Sequence, residues 1–150
     1  MVDVWFYHLQ RQPLEATLPV LLLKTVEKGW KAVVQVASEE RLSALDDHLW
    51  TFSEESFLPH APANEPSAVS QPIVLTVGSE NPNNAEIRFL AEGSELPENI
   101  TSYQRIAVVF DGNDPDLLNR VRQQWKDVKA SGLEASYWQQ NERGRWEQKA

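Results

Sequence analysis

Two hydrophobic periods alternate along the chain, and their order sets the architecture. Val4–Leu9, rich in aromatic and β-branched residues, reads as a first strand. Gln10 to Pro13 turn the chain. Leu14, Leu18, Leu21, Leu22 and Thr25 then share one helical face, and Gly29 is placed to stop that helix. Pro19 is tolerable in this helix only if it lies in the first turn. Lys31–Ala37 is an apolar run of the fully buried strand type, after which Ser38 can cap a helix running through Leu42, Leu45 and Leu49 to about Trp50. Strand, helix, strand, helix is the pattern of a parallel sheet joined by crossovers.

From 61 to 71 the chain carries Pro62, Asn64, Pro66 and two serines with little apolar mass, which predicts a surface loop too short to divide it into domains. Strand patterns resume at Pro72–Val77, Glu86–Leu90 and Arg105–Phe110. Asp114, Pro115 and Asp116 open a long helix to about Ser131, Gly132 closes it, and Leu133–Gln139 reads as a last strand. No internal repeat or low-complexity segment interrupts the series. The expected fold is α/β: a single three-layer Rossmann-like domain over residues 1–150, with a mostly parallel central sheet.

Composition narrows the chemistry. One domain is the ordinary content of 150 residues, and 41% hydrophobic content with six Trp supplies a core. The absence of Cys excludes disulfides, thiol nucleophiles and cysteine-ligated metal, in keeping with a reducing compartment. The start, Met1 to Trp5, lacks the basic and long apolar run of a secretion signal, and no stretch has the length of a membrane span, so a cytoplasmic protein is expected. Glycines at 29, 78, 93, 112, 132 and 144 are too scattered for G-x-G-x-x-G or a phosphate-binding loop. His8, His48 and His60 have no metal-ligand spacing, and structural or surface roles are expected for them. No catalytic residue, metal or cofactor is expected. The formal charge of −8 repels phosphate backbones, so partners are expected to be proteins, without direct nucleic-acid or membrane contact.

The helix from Leu117 to Ala130 departs from this acidic background. Arg120, Arg122, Lys126 and Lys129 stand there against the single acid Asp127, a local +3 that leaves −11 for the rest. At ~100° per residue, Leu117, Val121 and Val128 form a core side, while Leu118, Arg122, Trp125, Lys126 and Lys129 form a neighbouring basic face around an aromatic. Such a face suits an acidic peptide with an apolar anchor. From the wheel alone, a solvated face with a half-buried Trp is the simpler account.

Taken in order, Phe6-Tyr7-x-Leu9, Arg41 with Leu49-Trp50, Ser56 to His60, Phe110-Asp111-Gly112, Arg122-x-x-Trp125-Lys126, Tyr137 to Gln140 and Gly144-Arg145-Trp146 resemble the DNA polymerase III chi subunit family, a clamp-loader accessory. The resemblance implies a Rossmann-like domain without nucleotide and a bacterial protein at the replisome, bearing on its late helix the site for the acidic, Phe-ended tail of single-stranded DNA-binding protein. The family's key Arg falls on Arg122 and its aromatic on Trp125. A Lys found one turn earlier falls on Leu118 here, a departure for which Lys126 or Lys129 can compensate. The family's second surface, for the psi subunit or an iron–sulfur helicase, falls on Trp50 and Phe57. Physically, Trp50 fits core and contact roles equally well, and Phe57 is the better contact candidate.

Two other classes compete with an adaptor. A nucleotide-dependent enzyme needs the phosphate cradle that the glycine positions deny. A direct single-strand binder using Trp125 as a stacking platform needs more than +3 on one helix to offset −11 elsewhere.

Overall fold

The computed structural model describes residues 2–10, 12–51, 59–91, 94–97 and 100–150. The chain opens as the pattern predicts, with β1 (Asp3–Leu9), α1 (Leu14–Glu27), β2 (Ala32–Gln35) and α2 (Glu39–Thr51). Ser38 Oγ accepts the Arg41 amide at 3.2 Å and caps α2. Gly29, at φ 86°, ends α1: its amide reaches Val26 O at 3.0 Å and the Trp30 amide reaches Thr25 O at 3.1 Å, the paired bonds of a Schellman ending.

There follow β3 (His60–Pro62), β4 (Ile73–Thr76), β5 (Ile87–Ala91), β6 (Arg105–Asp111), α3 (Pro115–Ala130), β7 (Glu134–Gln140) and β8 (Trp146–Gln148). They form one eight-stranded sheet in the order β3-β4-β2-β5-β6-β1-β7-β8. All pairings are parallel except the β7–β8 hairpin, so the mixed, mostly parallel α/β class is the one expected. The 61–71 segment begins inside edge strand β3 and holds a 3-10 turn at Pro66–Ser70, with Ala61 and Ala68 buried. Strand β8 was not expected from sequence, because three mostly polar residues give no readable alternation.

Alternation along β1 divides the core into two layers. Val4 and Phe6 face α3 and pack with Ile106, Val108, Phe110, Val121 and Val128. Tyr7 and Leu9 face α1 and α2, among Leu18, Leu22, Leu42, Leu45 and Leu49.

One correction concerns Pro19, which lies beyond the first turn of α1. Without an amide at position 19, the Glu15 carbonyl loses its helical donor. The His48 ring of α2 lies against it instead, Nε2 to Glu15 O 2.6 Å, so a neighbouring helix supplies the missing bond. Replacing His48 with Ala should lower stability by about 1–2 kcal/mol in urea unfolding, and the loss should shrink in a Pro19→Ala background, where the amide returns. Equal losses in both backgrounds would show that the two residues are not coupled through this carbonyl.

A charged side chain sits inside the core. Arg88, on β5, has no exposed surface and makes five hydrogen bonds. Nε and one terminal nitrogen share Gln35 Oε1 at 3.1 and 2.8 Å; the other terminal nitrogen donates to Glu80 O at 2.9 Å and Tyr103 Oη at 3.0 Å; and the Gly78 carbonyl takes the fifth bond. Every donor of the guanidinium is thereby satisfied without a direct carboxylate partner.

Candidate partner-binding site

The helix that carries the basic face is fixed at both ends by its own sequence. Asp114 accepts the amides of Asp116 and Leu117 at 3.1 and 3.2 Å, Pro115 occupies the first turn, and Ser131 and Gly132 close the C-terminus. Val121 and Val128 are buried against the sheet, as the wheel requires, and Leu117 is half-buried.

Leu118 and Trp125 are half-buried against the core, while Arg122, Lys126 and Lys129 are exposed. Trp125 is held edge-on by Phe6, ring centres 5.3 Å apart, and by Tyr137 at 5.9 Å, while the Lys129 ammonium lies 5.3 Å from its ring centre. Among the described residues, no carboxylate pairs with Arg122, Lys126 or Lys129. Asp127, the one acid between Leu117 and Ala130, accepts from Gln123 Nε2 at 2.9 Å. The cations therefore remain available to an external anion.

The sheet supplies a floor that sequence reasoning did not include. Tyr137 Oη and the Gln139 amide approach His8 Nδ1 at 2.5 and 3.1 Å, which suits a neutral imidazole accepting at that nitrogen. Burial pushes the His8 pKa down, with Asp111 opposing and Arg122 adding to the shift. Burial raises Tyr137, and the Arg122 charge and a bond from Gln139 moderate it. Arg122 thus acts electrostatically on both rings. Gly112 is required beneath them, since a Cβ there would overlap the His8 ring. The period-2 position of Tyr137 on the same sheet face as Ala135 was the available signal, but only the fold puts it beside Trp125.

The second predicted surface lies toward the other end of the sheet. Trp50, on α2, is 51% exposed and its ring lies over His60 of edge strand β3, centres 4.5 Å apart. His60 Nε2 in turn approaches Asp46 Oδ1 at 2.8 Å. Phe57, the partner candidate named with Trp50, lies outside the described residues.

The crevice where doubly wound folds hold nucleotides is also defined. It lies at the C-terminal ends of β1 and β6, measures about 700 Å³, and is lined by Glu15, Asp111, Asp114 and Asp116 as well as Arg41 and Arg120. Asp114 already takes the amides at the start of α3, and the surrounding carboxylates repel a phosphate. Among the described residues no cluster of His, Asp or Glu is arranged to hold a metal.

Comparison with known proteins gives a concordant result. A family-level sequence model described as DNA polymerase III chi subunit, HolC, matches residues 1–136. The chain is 29% identical over 136 residues to the DNA polymerase III subunit chi of Pseudomonas aeruginosa strain PAO1, covering 88% of this chain and 92% of that one. It is 26% identical over 111 residues to a probable DNA polymerase III subunit chi of Rickettsia prowazekii strain Madrid E, covering 70% and 67%.

Proposed function

This chain belongs to the DNA polymerase III chi subunit family, replication accessory subunits, and from that premise we propose that it is a non-catalytic adaptor with two protein-binding ends. The α3 face takes the acidic C-terminal tail of single-stranded DNA-binding protein. The surface containing Trp50 and Phe57 takes psi, and through it the clamp loader, or an iron–sulfur helicase in its place. Its workplace is the replisome in the bacterial cytoplasm, consistent with the lack, among the described residues, of any helix long and apolar enough to cross a membrane.

The observation that carries the reading is Arg122, unpaired among the described residues, beside half-buried Trp125. A peptide ending in an apolar residue and a free carboxylate needs a cation for the carboxylate and an apolar wall for the side chain, and one turn of α3 offers both. Trp50 adds a large exposed aromatic of the kind that anchors interfaces. Strand order puts the two surfaces about five strand spacings apart, roughly 20–25 Å, so two partners can bind together.

Immobilised protein should retain single-stranded DNA-binding protein and lose it when the last few residues of that partner are removed. A synthetic tail with a free carboxylate should bind more tightly than its amide. Retention independent of the tail would refute the assignment. For the second surface, Trp50→Ala should weaken capture of psi at least tenfold, about 1.4 kcal/mol, while tail affinity stays as in the wild type. Undiminished capture would place psi elsewhere.

A further inference from the structure

Four of the six tryptophans lie on the sheet face opposite α3, around a cleft of about 270 Å³ that neither proposed partner uses. Trp138 stacks on Trp5 with ring centres 4.8 Å apart and planes 19° apart. The Arg105 guanidinium lies 3.8 Å from the centre of Trp5 and 5.1 Å from that of Trp30, and the Lys28 ammonium lies 3.8 Å from Trp30. Rings and cations thus alternate from Trp5 through Arg105 and Trp30 to Lys28, with Trp138 stacked on the outer side of Trp5. Trp146 and Lys24 complete the walls.

Three features separate this cleft from a purely structural stack. Among the described residues its lining holds three cations and no carboxylate, in a chain of formal charge −8. Among the described residues, none of Lys24, Lys28 and Arg105 makes an ion pair, and the buried Arg105 Nε has no hydrogen-bond partner. Open space of about 270 Å³ also remains beside these stacked groups, where a purely internal cluster would close up to the density of a protein interior.

We propose that the cleft formed by Trp5, Trp30, Trp138 and Trp146 with Lys24, Lys28 and Arg105 binds single-stranded nucleic acid, aromatic rings taking bases and cations taking phosphates. Charge complementarity demands an anion, and the rings demand a flat π-system. A nucleic-acid strand repeats both, one phosphate to each base, matching an array in which cations and rings alternate. An acidic peptide with one terminal aromatic would leave most of these rings unused. The chain-wide negative charge still acts, but over a Debye length of about 8 Å the local cations dominate, so binding is weak and salt-sensitive rather than absent. This contact is independent of the α3 site and of the tail assigned to it.

The test is fluorescence anisotropy of labelled oligothymidylate with the full-length protein at low salt. A dissociation constant on the order of 10–100 µM is expected, with duplex DNA bound more weakly because its bases are already stacked. Lys24→Glu with Lys28→Glu, surface changes that should leave the melting temperature near wild type, should weaken binding at least tenfold. They should also flatten the dependence of log K on log salt by about 1.4, as expected for two lost contacts to a single strand. Trp30→Leu should weaken binding without changing that slope, and Arg122→Ala should leave it unaffected. The proposal fails if wild type does not bind, if the charge-reversed protein binds equally well, if duplex binds as well as single strand, or if Arg122→Ala abolishes binding. Displacement of the oligonucleotide by an acidic, Phe-ended peptide that binds wild type and Arg122→Ala alike, but not the charge-reversed protein, would make the cleft a peptide site and overturn the ligand assignment.

Discussion

Replacing Arg88 with alanine is expected to lower the unfolding free energy by about 3–5 kcal/mol, enough to exhaust much of the roughly 5–15 kcal/mol that holds a domain of this size together. The guanidinium is fully buried and fastens Gln35 on β2, the carbonyls of Gly78 and Glu80 after β4, and the Tyr103 hydroxyl to β5. Its loss leaves a cavity and removes the donor from one buried and several part-buried acceptors, and both terms oppose folding. Arg88→Met separates them: the thioether chain refills most of the space but donates nothing, so it should recover only part of the loss. Arg88→Lys should also fall short of wild type, because three donors on one nitrogen cannot reproduce the spread of the planar fork. Urea midpoints within error of wild type for both the Ala and Met variants would mean that water or local rearrangement replaces these bonds without penalty.

Arg122→Ala should weaken the tail of single-stranded DNA-binding protein well over tenfold, on the order of 2–5 kcal/mol for a partly desolvated, charge-assisted contact, without unfolding the exposed site. Lys126→Ala should cost less, since a flexible ammonium at the rim is better screened than a guanidinium fork. Raising salt to physiological strength should weaken the complex moderately, because the apolar contact with Trp125 is insensitive to screening. Equal tail affinity for wild type and Arg122→Ala would move the site off α3. The substitution also has a signature that needs no partner. His8 is held below its usual value of 6.5 mainly by burial and partly by Arg122. A buried base with a depressed pKa contributes stability above its unfolded pKa, and that contribution is lost as pH falls through the folded value. Without Arg122 the depression is smaller, so Arg122→Ala should lose less stability on acidification below about pH 6.5 than wild type does.

How much of this was legible in the sequence depended on the distance over which each feature is determined. The order of strands and helices could be read directly, because periods of two and of about 3.6 residues are local, and α3 carries its own start signals in Asp114 and Pro115 and its stop signal in Gly132. The basic face of α3 was equally readable, since Arg122, Trp125, Lys126 and Lys129 are placed by one helix alone. The sequence also led the Pro19 expectation astray: the penalty was assessed within α1, whereas the bond that relieves it comes to the Glu15 carbonyl from His48, 33 residues from Glu15. The three mostly polar residues of β8 acquire their meaning only by pairing with β7.

The floor of the candidate site followed the same rule. Tyr137 and His8, 129 positions apart, meet because β1 pairs in parallel with β7. The bonds of Arg88 required β2, β5 and the segment after β4 to converge, so a residue that reads as the polar interruption of a strand became the centre of a buried network. Likewise Trp5, Trp30, Trp138 and Trp146 are scattered from one end of the chain to the other and gather only in the folded sheet. The sequence by itself determined the elements and the chemistry on each one, because backbone periodicity and capping act within a few residues. Only the tertiary structure decided which buried charge would find its acceptors and which rings and cations would share a surface, because strand pairing and helix packing bring together side chains from distant parts of the chain.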